Sequence, residues 1–446
     1  MKTASETLKV ISLGAGPKYK TLNIDDIVAL SGLQTFRGGT LDDYIANGEV
    51  DKERIKTIHR ESTRRGHASM TTTPSLFFEV EGSRMIDLYG SAFPFGSFIM
   101  FSSRRVKVTD DLLVRPDALN ENSWRSYKGL LKEYESMWEG SSRDKARKVL
   151  PLGFYSHGLM KFSAEDIVHM KKETMETAVP KELSLMADKM GGIFKENAPL
   201  LYEAAMERKA SLSYGNPNIF HENKLPRFSS DKNVNIKIWK DAHLQQIVNE
   251  FKSNSPPGFD DWKKLSMNIM DMVYANAVLS GSIAVWNEVK RHRTIVQKAE
   301  SVYDAVDRAF DEVNSLSKNE TPRWIHIPPG KSESYVEAVH NSLAEYHRLA
   351  DKIEKRDAIY VVPHCVKIKF SLAMNGFHLV DPFGFLGIRS CTTSDYEVQE
   401  LARKIKTEVI KQVPALEGLI GPKCKTGVCP ERRPCGIVKM YSKNGD

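Results

Sequence analysis

Apolar side chains recur at helical spacing in two widely separated stretches of the chain. In residues 182–197 they fall at Leu183, Met186, Met190 and Ile193, and in residues 397–412 at Val398, Leu401, Ile405 and Val409. Steps of three and four place such residues on one face, so each stretch is predicted to be an amphipathic helix. Residues 334–356 read as a long helix, and alternation in 75–81 and 234–239 predicts strands. Residues 209–233, rich in Ser, Asn, Pro and charge, keep no period and read as a linker. Sheet and helix are mixed on both sides of it, which makes the fold class α+β.

The two amphipathic helices share a signature. Glu182 is followed five residues on by Ala187 and twelve further by Pro199, and Glu397, Ala402 and Pro414 repeat both intervals. Upstream of each glutamate an apolar run ends in proline, Val149-Leu150-Pro151 and Val361-Val362-Pro363. The two proline-to-glutamate distances differ by three residues, the size of one loop insertion. Such self-similarity predicts a duplicated unit, one copy in residues 1–215 and the other in 216–446.

A chain of 446 residues suits two domains better than one ordinary core. Its 41% hydrophobic and 27% charged residues are those of a globular protein, and no run approaches the roughly 18 apolar residues of a membrane span. Residues 1–10 lack the apolar core of a secretory signal, so a cytoplasmic protein without a membrane partner is expected. The formal charge of +7 favours anionic partners without choosing between phosphate ligands and nucleic acid. Five cysteines clustered toward the C-terminus form no secreted disulfide framework, and Cys365 and Cys391 read as buried thiols.

The most informative constellation is Arg291-His292-Arg293, followed after seven residues by Ser301. It follows an apolar stretch, 283–289, able to hold it rigidly. Two guanidiniums flanking an imidazole present planar donors to phosphate or carbonyl oxygens and a positive field suited to an anionic cofactor. A solvated basic helix face is the plainer alternative.

This spacing resembles the signature of the flavin-dependent thymidylate synthases. Gly66-His67-Ala68-Ser69 resembles that family's FAD-contacting Gly-His-x-Ser segment, with Thr72 and Thr73 where a Glu-His pair is usual. Ser102-Ser103-Arg104 resembles its phosphate-binding Ser-Gly-Arg turn, and Ala146-Arg147-Lys148-Val149-Leu150-Pro151 the segment whose arginine reaches the nucleotide. Phe385-Leu386-Gly387-Ile388-Arg389 resembles the helix whose arginine contacts the pyrimidine. The resemblance covers nearly the whole chain, and the two copies have lost complementary parts. The first has Ala92-Phe93-Pro94 in place of Arg-His-Arg and Thr174 in place of the helix arginine; the second has Val302-Tyr303 after its serine, Ile359 before Val-Val-Pro, and no Gly-His-x-Ser.

The resemblance implies two tandem copies of a thymidylate-synthase-complementing-like unit, each an antiparallel sheet with flanking helices, joined as a pseudo-dimer and pairing into a homodimeric pseudo-tetramer. It implies FAD held by His67, Ser69, Arg291, His292 and Arg293. A pyrimidine nucleotide would be held by Ser102, Ser103, Arg104, Arg147, Glu288 and Arg389, with Arg389 and Ser301 nearest the chemistry. The implied reaction is C5-methylation of dUMP to dTMP, an FAD-dependent methyltransferase reaction with NADPH and a reduced folate as co-substrates; nucleic acid is not the expected partner. Glu288 stands where the family commonly has glutamine, and Lys298 and Ala299 where it has Asn and Glu, so another nucleotide, another one-carbon carrier or an inactive binding homologue are the rivals. Cys424, Cys429 and Cys435 form a thiol cluster without C-x-x-C spacing, read as free thiols before metal ligands, with His364 and His378 as conceivable fourth ligands. Residues 12–18 lack Walker spacing and read as a turn.

Overall fold

The computed structural model describes residues 22–441 apart from 38, 66, 115–120, 141–142, 177–178, 209–217, 222–233, 254–256, 318–319 and 331–332. The turn at 12–18, the boundary at 215/216 and all of the linker except residues 218–221 lie outside the described residues.

Helix α1 (Ile24–Arg37) and several short helices precede strand β1 (Ser75–Ser83). Then follow α2 (Arg84–Gly90), β2 (Ser97–Met100), α3 (Glu121–Gly140), β3 (Tyr155–Ser163), α4 (Ala164–Glu176) and α5 (Lys181–Asn197). The second half holds β4 (Val234–Lys240), β5 (Val273–Ser282), α6 (Ile283–Val289), β6 (Val296–Ala299), α7 (Val302–Ser315) and α8 (Glu333–Ala350). It ends with β7 (Lys367–Asn375), α9 (Phe385–Arg389) and α10 (Tyr396–Gln412). Both sheets are antiparallel, in the orders β1-β3-β2 and β4-β5-β7-β6. The expected mixture of helix and antiparallel sheet is therefore present. The same succession recurs, with β5, β7 and β6 taking the places of β1, β3 and β2.

Two sequence expectations shift. The helix expected over 334–356 stops at Ala350, where the exposed residues Asp351 and Lys352 turn the chain so that Ile359–Val361 can reach a buried seam. On α5 the inner face includes Phe194 while Ile193 is 45% exposed, because the buried stripe runs through Leu183, Met186, Ala187 and Met190 one residue off the assumed line.

The two proline-ended runs form that seam. Pro151 bridges Pro363; the Leu152 amide donates to the Val362 carbonyl at 2.8 Å, Gly153 to Tyr360 at 2.8 Å, and His364 to Leu150 at 3.0 Å. A side chain at Gly153 would put Cβ 2.1 Å from the Tyr127 hydroxyl and 3.0 Å from the Tyr360 carbonyl, so the crossing needs glycine there. Helices α3 and α8 pack against each other beside the seam, with the Ser123 hydroxyl donating to Glu345 at 2.5 Å. One apolar core, including Tyr127, Trp286 and Tyr346, runs through both halves.

The repeated glutamates have one job. Glu182 accepts from the Ser83 amide at 2.6 Å and its hydroxyl at 2.5 Å, where α2 begins. Glu397 accepts from the Ser282 amide at 2.9 Å and its hydroxyl at 2.7 Å, where α6 begins. Each carboxylate thus supplies an acceptor, and a negative charge, at a helix N-terminus. Each also receives a donor across the seam from the third residue before the other half's proline. Tyr360 donates to Glu182 at 2.9 Å, and Lys148 to Glu397 at 2.8 Å.

Lys148 is fully buried and also bonds Asp395 at 3.0 Å. Burial opposes the charged form of both acids, but Lys148 and its neighbours outweigh it, holding Glu397 down at about 2 and Asp395 lower still. A carboxyl whose folded pKa is depressed adds stability that is whole above the unfolded range and is lost as pH falls through the folded value. Urea midpoints should therefore fall steadily below about pH 5, and Glu397→Gln should flatten that slope; an unchanged slope would count against the assignment.

Candidate functional site

Around Glu288, at the end of α6, side chains from both halves converge. Arg147 follows the short helix Arg143–Ala146 and lies beside the seam, so its guanidinium is carried to Glu288 at 2.5 Å and Asp395 at 2.7 Å. Arg389, at the end of α9, donates to the Glu288 carboxylate at 3.2 Å and to its carbonyl at 2.7 Å. Arg104 approaches Glu288 at 3.9 Å, pairs with Asp144 and donates to the Thr393 carbonyl at 3.2 Å. Burial disfavours the charged form of Glu288, yet Arg147, Arg389 and Arg104 together hold its carboxyl below the ordinary glutamate range.

His292 accepts from the Arg389 Nε at 2.8 Å through its own Nε2, and that requires a neutral ring with the proton on Nδ1. Burial first, then the Arg389 charge, lowers its pKa to about 3. The ring meets Phe385 edge-on, with centroids 5.0 Å apart.

The other two motif residues reach into the first half. Arg291 makes two 3.0 Å bonds to Asp87 on α2, which Arg84 also pairs at 2.9 Å and Asn287 at 2.9 Å. These cations overcome burial and hold Asp87 well below the carboxylate range. Arg293 lies over the Phe98 ring of β2, 4.9 Å from its centroid. Lys290 is buried under the C-terminal turn of α2, donating to Ser91 at 2.6 Å and to the Leu88 carbonyl; burial pushes its ammonium well below the usual lysine range.

Of the residues singled out in the sequence, Arg104, Arg147, Glu288, His292 and Arg389 come together, and Arg291 and Arg293 lie against the first half beside them. Ser102 opens a turn, accepting at its carbonyl from the Arg105 and Val106 amides, and Ser103 is buried there. His67 and Ser69 are exposed around the start of a short helix, Ala68–Thr72, and Gly66 is outside the described residues. Ser301 is buried, and its hydroxyl accepts from the Tyr303 amide at 3.3 Å to cap α7. Among the described residues no hydrogen bond ties Ser301 to the Glu288 cluster. Sequence reading missed Asp87, Asp144 and Asp395. Asp87 had a signal, since Arg84 and Asp87 interrupt an otherwise apolar helix at i, i+3 spacing.

The cluster holds unfinished polar groups. Among the described residues the Arg147 Nε and the Ser390 hydroxyl, both buried, have no hydrogen-bond partner. Arg291 keeps 40% of its side chain exposed. Guanidinium donors left over beside neutral imidazole suit an oxygen-rich anionic ligand.

The family described as thymidylate synthase complementing protein matches residues 21–200 and again 219–415. The chain belongs to that family. Among curated relatives, the flavin-dependent thymidylate synthase of Clostridium tetani is 31% identical over 24% of this chain and 50% of its own length. That of Pyrococcus furiosus is 25% identical over 39% of this chain and 74% of its own. The match to the first of these spans only about half the relative's length. A solved structure, the UMP/dUMP methylase PolB from Streptomyces cacaoi bound with 5-Br dUMP, aligns over 41% of this chain and 91% of its own at 19% identity, with a TM-score of 0.33. That similarity is too low to place a ligand here. The two matched segments of this thymidylate synthase complementing family member fit a tandem arrangement and frame the recurring strand order.

Proposed function

We propose that this protein methylates C5 of a pyrimidine nucleotide in a flavin-dependent reaction, dUMP to dTMP being the expected conversion, with FAD, NADPH and a reduced folate. The observation that carries the reading is the meeting of Arg104 and Arg147 from the first half with His292 and Arg389 from the second around Glu288. Two copies, divided near residue 215, thereby share one composite site, and a homodimer would give a pseudo-tetramer in the cytoplasm. Arg104 and Arg147 would bind the nucleotide phosphate by charge-assisted hydrogen bonds, displacing the carboxylates that now occupy them. Arg389 would orient the base and polarise a carbonyl as charge develops on the ring. Arg291 and Arg293, partly exposed and anchored on Asp87 and Phe98, would hold FAD, whose bound form supplies the hydride carrier. His292, kept neutral, can take part in hydrogen bonding without adding charge.

Glu288 supports a second reading within the same chemistry. A carboxylate beside the base position favours an acceptor other than uracil. Tritium release from C5-labelled dUMP, UMP and dCMP separates the two: release from dUMP alone supports the first, release from another nucleotide the second, and release from none defeats both.

The cofactor is tested spectroscopically. Purified protein should show a flavin band at about 450 nm, and Arg293→Ala should lose bound flavin on gel filtration while keeping its fold. A colourless protein that cannot be reconstituted with FAD, or full flavin retention in the variant, rejects the assignment.

A further inference from the structure

Four of the five cysteines face one small cavity that the methylation chemistry does not use. Cys391 lies in the turn after α9, with its amide bonded to the Ile388 carbonyl at 3.2 Å and its sulfur accepting from Thr393 at 3.4 Å. Cys424 begins a tight turn closed by the Gly427 amide at 3.0 Å, and Cys429 and Cys435 follow in the same C-terminal segment. All four line a cavity of about 20 Å³ together with Thr392, Lys423 and Arg433. Cys391 and Cys424 are buried, Cys429 is half-buried, Cys435 is exposed, and all are free thiols. The sequence offered only three cysteines in one loop. The fold adds Cys391 from a separate element, and neither histidine suggested as a fourth ligand fills that place: His364 bonds the Leu150 carbonyl, and His378 the Thr294 hydroxyl.

We propose that the thiols of Cys391, Cys424, Cys429 and Cys435 bind one thiophilic divalent ion, zinc by its chemistry, as a tetrathiolate that pins the C-terminal segment to the loop after Arg389. Four sulfurs make a closed set for tetrahedral Zn(II), and the Glu431 carboxylate that also lines the cavity is engaged by Lys423. The cavity has room for one ion, of the order of a single water, and not for a multi-atom cluster. Four thiols give up four protons to solvent on binding, leaving a site with a net charge of two minus. Arg433 lines the same cavity and offsets part of that charge, while Lys423 and Glu431, also in the lining, pair with each other. Among the described residues no three such ligand groups are already gathered to hold an ion, so the proposal requires Cys429 and Cys435 to close onto Cys391 and Cys424 when the ion binds. Gly427, between Cys424 and Cys429, and Gly436, directly after Cys435, adopt left-handed turns at φ +87° and +85° that let the segment fold tightly. The loop so anchored carries the Thr393 carbonyl that holds Arg104 and leads into Asp395, which holds Arg147. The ion is therefore a structural brace for the phosphate-binding arginines.

The full-length protein, expressed with zinc sulfate and desalted, should retain about one zinc per chain by elemental analysis. Adding a chelator should make Cys429 and Cys435 newly reactive toward a thiol reagent. Loss of one direct ligand should weaken retention by more than the roughly 10- to 100-fold that outer-shell partners cost. Cys435→Ser, altering an exposed residue, tests this without endangering the core; Cys429→Ser is the second variant. Zinc-free protein whose thiols react equally with and without added zinc overturns the proposal, as does iron with sulfide or a disulfide found by mass spectrometry. None of these readouts depends on flavin or nucleotide, so failure here leaves the methylation reading standing, and the reverse.

Discussion

Lys148→Ala is expected to destabilise the folded protein by about 3–5 kcal/mol, the range for removing one partner of a buried ion pair. The ammonium is wholly enclosed, bonded to Glu397 at 2.8 Å and Asp395 at 3.0 Å, with the Tyr396 ring 5.3 Å away. Deleting it leaves two buried carboxylates facing each other with Arg147 as the remaining near cation. The matched change across the seam, Tyr360→Phe, removes one neutral donor from Glu182 and should cost about 1.5–3 kcal/mol. Thermal or urea unfolding compares the two directly. Equal losses would mean that Lys148 is not held as a buried cation. Lys148→Met combined with Glu397→Gln should recover part of the stability, because both members of the pair then lose their charge.

Arg389→Ala should lower the rate of nucleotide methylation by about 10²- to 10³-fold, the effect of deleting one preorganised donor at a site of developing charge. Nucleotide binding should persist, since Arg104 and Arg147 remain. The separating measurement is a split between kcat and the nucleotide Kd: a loss confined to affinity would place Arg389 in uniform binding instead. Glu288→Gln is expected to raise affinity. It leaves Arg147 and Arg389 without their shared carboxylate, so phosphorylated ligands should bind more tightly and with a steeper dependence on salt.

Much of this is legible in the sequence. The helices around Glu182 and Glu397 follow from apolar spacing, and the two glutamates were marked by their equal distances to alanine and proline. Their task was hidden, because capping a helix a hundred residues away leaves no local trace. Lys148 and Tyr360 each stand three residues before the proline of an apolar run, a position that in principle could have been compared. They share no chemistry beyond a donor tip, so residue identity concealed the correspondence. Arg291-His292-Arg293 was visible as a motif, but spacing alone could not separate a cofactor site from a solvated face. The structure adds the long-range contacts that spacing could not show, with Arg291 held by Asp87 and Arg293 over Phe98. Ser301 carries a task that the motif did not show: its hydroxyl accepts from the Tyr303 amide and caps the first turn of α7.

The exchange of donors across the Pro151–Pro363 crossing also limits how the gene can change. A recombination event that replaced either half with its counterpart from a distant relative would bring Glu182 or Glu397 against a stranger in place of Tyr360 or Lys148. The hybrid would meet that penalty while folding, before selection could act on turnover. Each half is thus tied to the lineage of the other.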